Sequence, residues 1–214
     1  NKSSYHEIKT INYFIARFWH SYFCTTNKIS CGNKFPLLKL PYTTKDLVSK
    51  LYIYDGPIND PSAVKFLKSE VTPILKSYKD GAMYFENNSK CYAIGRIVNA
   101  GKTFILYLES AMNKNTGYGE NQIFIVSLDN NYQPVESKSI GYYYETTSYD
   151  NESNTIYNIT DIYASVLSLP NGLNLKIFDN NEKNKNMQSI IKKDTYNYDF
   201  FFNTSGKLIE IPKK

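Results

Sequence analysis

The chain has 214 residues and a mass of 24.7 kDa, a length that suits one large domain. Hydrophobic residues make up 42% and charged residues 21%, enough apolar matter for a core, which excludes global disorder. No run reaches the roughly 18 apolar residues of a membrane-spanning helix. The net charge of +5 rests on scattered lysines, Arg17 and Arg96 being the only arginines, and this excludes an arginine-based nucleic-acid surface.

The chain begins at Asn1 rather than Met, so a removed signal peptide or a lipid-anchored leader is expected upstream of Asn1. Ser4-Tyr5-His6-Glu7 is a capping box, and Ile8, Ile11, Ile15, Phe18 and Tyr22 follow at helical spacing. An amphipathic helix is therefore expected to about Phe23, within a helical segment 1–34. Cys24 and Cys31 are the candidate disulfide once the chain is exported.

The segment 35–80 is expected to hold an extended stretch and short helices. Pro36 and Pro41 bar a helix across Phe35–Tyr42, so its apolar side chains are expected to lie extended along the core. Thr44–Lys50 reads as a short helix. A second helix is expected to start at Asp60-Pro61, with Val64, Leu67 and Val71 on one face.

From Gly81 the pattern changes to short alternating runs, which predict a β-meander of about eight strands over 81–214. Leu173, Leu175 and Ile177 alternate with Asn174 and Lys176, and Tyr196, Tyr198, Phe200 and Phe202 share a face. Asn99-Ala100-Gly101-Lys102, Pro170-Asn171-Gly172 and Asn203-Thr204-Ser205-Gly206 are tight-turn signals. The polar segments 113–119 and 180–186 are expected to be mobile loops, with Lys183, Lys185, Lys192 and Lys193 on solvated surface. The expected architecture is a single α+β domain over 1–214, its helices packed on the mainly antiparallel sheet.

Chemistry-bearing motifs are sparse. His6 and His20 both fall in the first helix, roughly 21 Å apart if it is straight. Cys91 reads as a small buried strand residue. Gly117-Tyr118-Gly119 precedes a strand rather than a helix, which argues against a phosphate loop. The strand carboxylates Glu86, Glu109, Glu136, Glu145 and Asp161 are the only candidates for paired acid–base work. No catalytic, cofactor-binding or metal-binding residue is assigned.

The aromatic residues carry the functional expectation. Gly141-Tyr142-Tyr143-Tyr144 places Tyr142 and Tyr144 on one sheet face and Tyr143 on the other. A tyrosine offers a rigid apolar ring and a hydroxyl, which suits a protein interface first and sugar stacking second. Tyr142, Tyr143 and Tyr144 are therefore the candidate contact residues.

The run Phe35-Pro36-Leu37-Leu38-Lys39-Leu40-Pro41-Tyr42 resembles the opening of uncharacterised exported proteins and lipoproteins of Bacteroidetes. The runs Cys91–Ile97, Phe104–Leu108, Ile123–Asp129 and Phe202–Leu208 are similar to theirs in order and spacing. The resemblance implies export, to periplasm, outer surface or medium, and a mostly β fold; it supplies no catalytic residues. The expected function is a non-enzymatic binding module with a protein partner, inhibitor-like or immunity-like. The alternatives are a glycan-directed hydrolase or carbohydrate-binding protein with an acidic and aromatic cleft, and a structural component of an envelope assembly.

Overall fold

A computed structural model describes residues 35–48, 67, 90–112 and 119–212. In chain order the elements are β1 (Tyr42–Thr43), α1 (Lys45–Val48), β2 (Lys90–Asn99), β3 (Lys102–Met112), β4 (Gly119–Leu128) and β5 (Pro134–Tyr149). There follow β6 (Thr155–Leu169), β7 (Gly172–Lys185), β8 (Ser189–Asn203) and β9 (Leu208–Ile211). They form one nine-stranded sheet in which β2 to β9 neighbour one another in chain order, and β1 pairs separately with β6. Every strand pairing in it is antiparallel.

The expected α+β class is corrected to mainly β. Among the described residues α1, four residues long, is the only α-helix, and none reaches seven. The reason lies in how the sheet covers itself. Phe104, Leu106 and Leu108 of β3, with Ile123 and Ile125 of β4, share one buried cluster with Leu173, Leu175 and Ile177 of β7 and Phe200 and Phe202 of β8. The sheet thus rolls until its two ends meet. The Phe104 and Phe202 rings lie 5.3 Å apart, and Ser127 Oγ donates to Gly206 O at 2.6 Å. Lys138 Nζ sits 4.1 Å from the Phe200 ring centroid, and burial lowers its pKa although Glu210 opposes the shift. The opposite face of β2–β4 holds a second buried cluster, with Cys91, Ile105, Tyr107, Phe124 and Val126 against Phe35 and Leu67. The expected helices over 4–23 and from Asp60 lie outside the described residues, apart from buried Leu67.

The proline-bearing segment lies extended along the core, as expected. Leu38 N donates to Arg96 O and Arg96 N to Pro36 O, both at 2.8 Å, so the segment straps the β2 edge. Leu38, Leu40 and Tyr42 pack on the first cluster. A Cβ at Gly95 would lie 2.5 Å from Leu38 Cγ, so only glycine lets the strap approach here.

The strap ends where the sheet divides. β5 and β6 pair from Tyr149↔Thr155 to Gly141↔Tyr163 and then separate. Thr44 fills the opening. Its buried hydroxyl donates to Ile140 O at 2.8 Å and accepts from Ala164 N at 2.9 Å, and Thr44 N donates to Ala164 O at 3.0 Å. The side chain so replaces the missing rung of the ladder. Thr44 O also accepts from the amides of Leu47 and Val48, which starts α1.

Beyond the division, the far halves of β5, β6, β7 and β8 continue as four paired strands. Here the expected mobile loop 180–186 is corrected: β7 runs through it to Lys185, and β8 starts at Ser189. Cross-strand polar pairs hold it. Asn180 donates to Asp161 at 2.7 Å, Thr160 to Asn181 at 2.7 Å and Lys193 to Glu182 at 3.2 Å. The four lysines expected on a solvated loop stand on these strands instead. Of the other expected loop, 113–118 lies outside the described residues and Gly119 opens β4.

Candidate functional site

The site is built by strand register. Tyr142 of β5 pairs with Ile162 of β6, Ile162 with Asp179 of β7, and Asp179 with Tyr196 of β8. The next row toward the tip is Tyr144, Thr160, Asn181 and Asp194. Directly paired residues share a sheet face, so both rows lie on one side. With strands about 4.8 Å apart, Tyr142 and Tyr196 stand about 14 Å from one another.

Tyrosines therefore mark both margins of a platform. Tyr142 and Tyr144 stack with ring centroids 6.1 Å apart and planes 9° from parallel. On the other margin Tyr196 and Tyr198 follow Phe200 and Phe202 along one face of β8, and the last two are core residues. Tyr144, Tyr196 and Tyr198 are 39%, 48% and 38% exposed, and Tyr142 and Ile162 are half-buried. Between the margins the polar groups satisfy one another. Asn181 donates to Asp179 at 2.9 Å and accepts from Thr160.

Tyr143 points to the other face, as the alternation implies. It packs partly on the first cluster and donates from its hydroxyl to Glu145 Oε2 at 2.8 Å. Tyr142 and Tyr144 thus come together, and Tyr143 does not join them. Tyr196 and Tyr198 were legible as sharing a face with Phe200 and Phe202 but not as standing across from Tyr142, because two intervening strands set that relation.

The strand carboxylates hold structural contacts. Asp161 accepts from Asn180, Glu145 from Tyr143, and Glu136 lies 3.9 Å from Lys207 Nζ. Glu109 is buried opposite Cys91 in the β2–β3 register. Nearby Tyr107 is fully buried and its hydroxyl has no hydrogen-bond partner among the described residues. Burial chiefly, then Glu109 and Cys91, pushes its phenol well above the usual tyrosine range. Glu86, His6, His20, Cys24 and Cys31 lie outside the described residues. Among the described residues no group of three or more His, Cys, Asp or Glu side chains is placed to hold a metal ion, and no helix is long and apolar enough to cross a membrane.

No protein-family model matches the chain, and neither does any curated protein or solved structure. The platform's chemistry must therefore be read from its own residues.

Proposed function

We propose that this chain is an exported, non-enzymatic binding module that engages a protein partner through the tyrosine platform, in the manner of an inhibitor or immunity protein. The carrying observation is the pair of tyrosine margins, Tyr142 with Tyr144 and Tyr196 with Tyr198, on one face of a paired sheet. Tyrosines on a fixed backbone bury large area at low entropic cost, which is the composition of interface hot spots. The polar centre favours protein over sugar. Asp179, Asn181 and Thr160 already bond one another, which leaves fewer groups for sugar hydroxyls. The engaged carboxylates weigh against the hydrolase alternative. Export rests on the resemblance carried by Phe35–Tyr42 and the later runs.

The protein encoded beside this one is the first partner to test, by calorimetry. Tyr144→Ala and Tyr196→Ala should each weaken its binding about tenfold or more, with the urea unfolding midpoint unchanged. Binding that neither substitution alters would overturn the reading. Tyrosine-dependent binding on a glycan array would replace it with the carbohydrate reading.

A further inference from the structure

β9 covers the outer side of β8 only from Asp199 to Phe202. Pro212 then follows, and it has no N–H with which to continue the ladder. From Ser189 to Asn197, β8 pairs with β7 on one side, and among the described residues no strand lies on the other. Such an edge is a template for one more extended strand. The side chains along it indicate which strand fits.

Consider two copies of β8, antiparallel, related by a twofold axis normal to the sheet at Lys193. The residues on either side of Lys193 then face one another. Lys192 meets Asp194 of the second copy, twice over; before them Ile191 is the extra residue of a bulge, which turns Ile190 to the opposite face from Lys192. Within one chain Lys192 Nζ and Asp194 already lie 2.6 Å apart, so the four groups form an alternating ring of charge. The one like-charge meeting is Lys193 with its own copy on the axis. It falls on the opposite face, and each Lys193 is already held by Glu182 at 3.2 Å. Moving the axis one residue either way destroys the match. Centred on Asp194, Lys192 faces Tyr196; centred on Lys192, Lys192 faces its own copy.

We infer that the chain self-associates through the free β8 edge as an antiparallel twofold dimer centred on Lys193. Because the axis is normal to the sheet, both tyrosine platforms lie on the same side of one continuous layer. The dimer goes beyond the proposed partner binding and does not depend on it.

The test is sedimentation velocity on the full chain up to about 0.2 mM, since an interface of this size is expected to be weak. The wild type should pass from monomer to dimer as concentration rises. Lys192→Glu and Asp194→Lys should each raise the dissociation constant about tenfold or more, because each places like charges opposite one another. An equimolar mixture of the two variants should restore the dimer, because the heterodimer brings Glu opposite Lys and Asp opposite Lys. A monomeric wild type, variants that dimerise as the wild type does, or a mixture no tighter than its parts would each overturn the inference. A monomer whose β8 amides from Ile190 to Tyr196 resist hydrogen exchange would overturn it too, by showing the edge covered within one chain. Lys192 lies outside the two rows of the platform, so lost dimerisation with retained partner binding in Lys192→Glu separates this inference from the proposed function.

Discussion

Replacing Thr44 by valine should be among the most costly single changes of near-constant shape in this protein. Valine matches threonine in volume but has no hydroxyl. Two buried backbone groups would lose their partner, the Ile140 carbonyl and the Ala164 amide. A buried backbone group left unsatisfied costs about 1–3 kcal/mol, so Thr44→Val should cost about 2–6 kcal/mol in all. For a chain of this size that lowers Tm by on the order of 10 °C. Thr44→Ser keeps the hydroxyl and loses one methyl, which should cost about 1 kcal/mol. Urea unfolding followed by circular dichroism measures both, with the slope held against the wild type to show a change in stability rather than in the unfolded state. If the valine variant is within about 0.5 kcal/mol of the wild type in stability, the hydroxyl does not complete the ladder. If serine costs as much as valine, the methyl and not the hydroxyl holds the site.

Tyr107→Phe removes a buried hydroxyl that has no partner among the described residues, so stability at neutral pH should match the wild type or exceed it by up to about 1 kcal/mol. The raised phenol makes a second arm. Its effect on stability is nil below the unfolded value of about 10, and stability falls as pH rises past that value because only the unfolded chain ionises there. Urea midpoints at pH 8 and pH 10.5 should therefore fall less in the phenylalanine variant, and an equal fall would refute the assignment. At Gly95 an added Cβ would meet Leu38 Cγ at 2.5 Å and Pro36 O at 2.8 Å, so Gly95→Ala should cost about 1–3 kcal/mol and loosen the strap. Hydrogen exchange at the Leu38 and Arg96 amides reads the loosening directly, and protection equal to the wild type would count against it.

Much of the sheet could be read from alternation. Leu173, Leu175 and Ile177 face the core as their spacing implies, and so do Phe200 and Phe202. The hairpin at Ala100 and Gly101 was legible too, since both adopt the positive φ that a two-residue turn requires, 48° and 72°. The class was misjudged because an amphipathic sheet needs a cover, and a helix was the nearest one in sequence. The actual cover is the same sheet, brought round so that Phe202 meets Phe104. That contact joins residues far apart along the chain, and no local pattern announces it. The segment 180–186 misled for a related reason. Asn180 and Asn181 disfavour strands on their own, but their cross-strand partners Asp161 and Thr160 satisfy them. The platform was half legible. Tyr142 and Tyr144 share a face by simple alternation. Their relation to Tyr196 depends on the register of three strand pairs, and bulges such as that between Lys183 and Asn184 reset such registers.

The division at Gly141 separates the platform from the core. Tyr142 and Tyr144 lie where β5 is still paired with β6. β5 leaves β6 at Gly141, where an added Cβ would lie 2.8 Å from Ile123 Cδ1, and Thr44 seals the gap. The pairing of β6 with β7 nonetheless runs unbroken from Leu169↔Gly172 in the core to Ile156↔Lys185 at the tip. The spacing between the tyrosine margins is thus set by a hydrogen-bonded ladder anchored in the core, and not by loops. On this layer Asn, Asp and Thr side chains satisfy one another, which lets paired strands extend past the apolar core with no second layer among the described residues. Against that polar background Tyr144, Tyr196 and Tyr198 are rigid aromatic groups left at the surface. A partner that covers them gains burial without having to order the backbone that presents them.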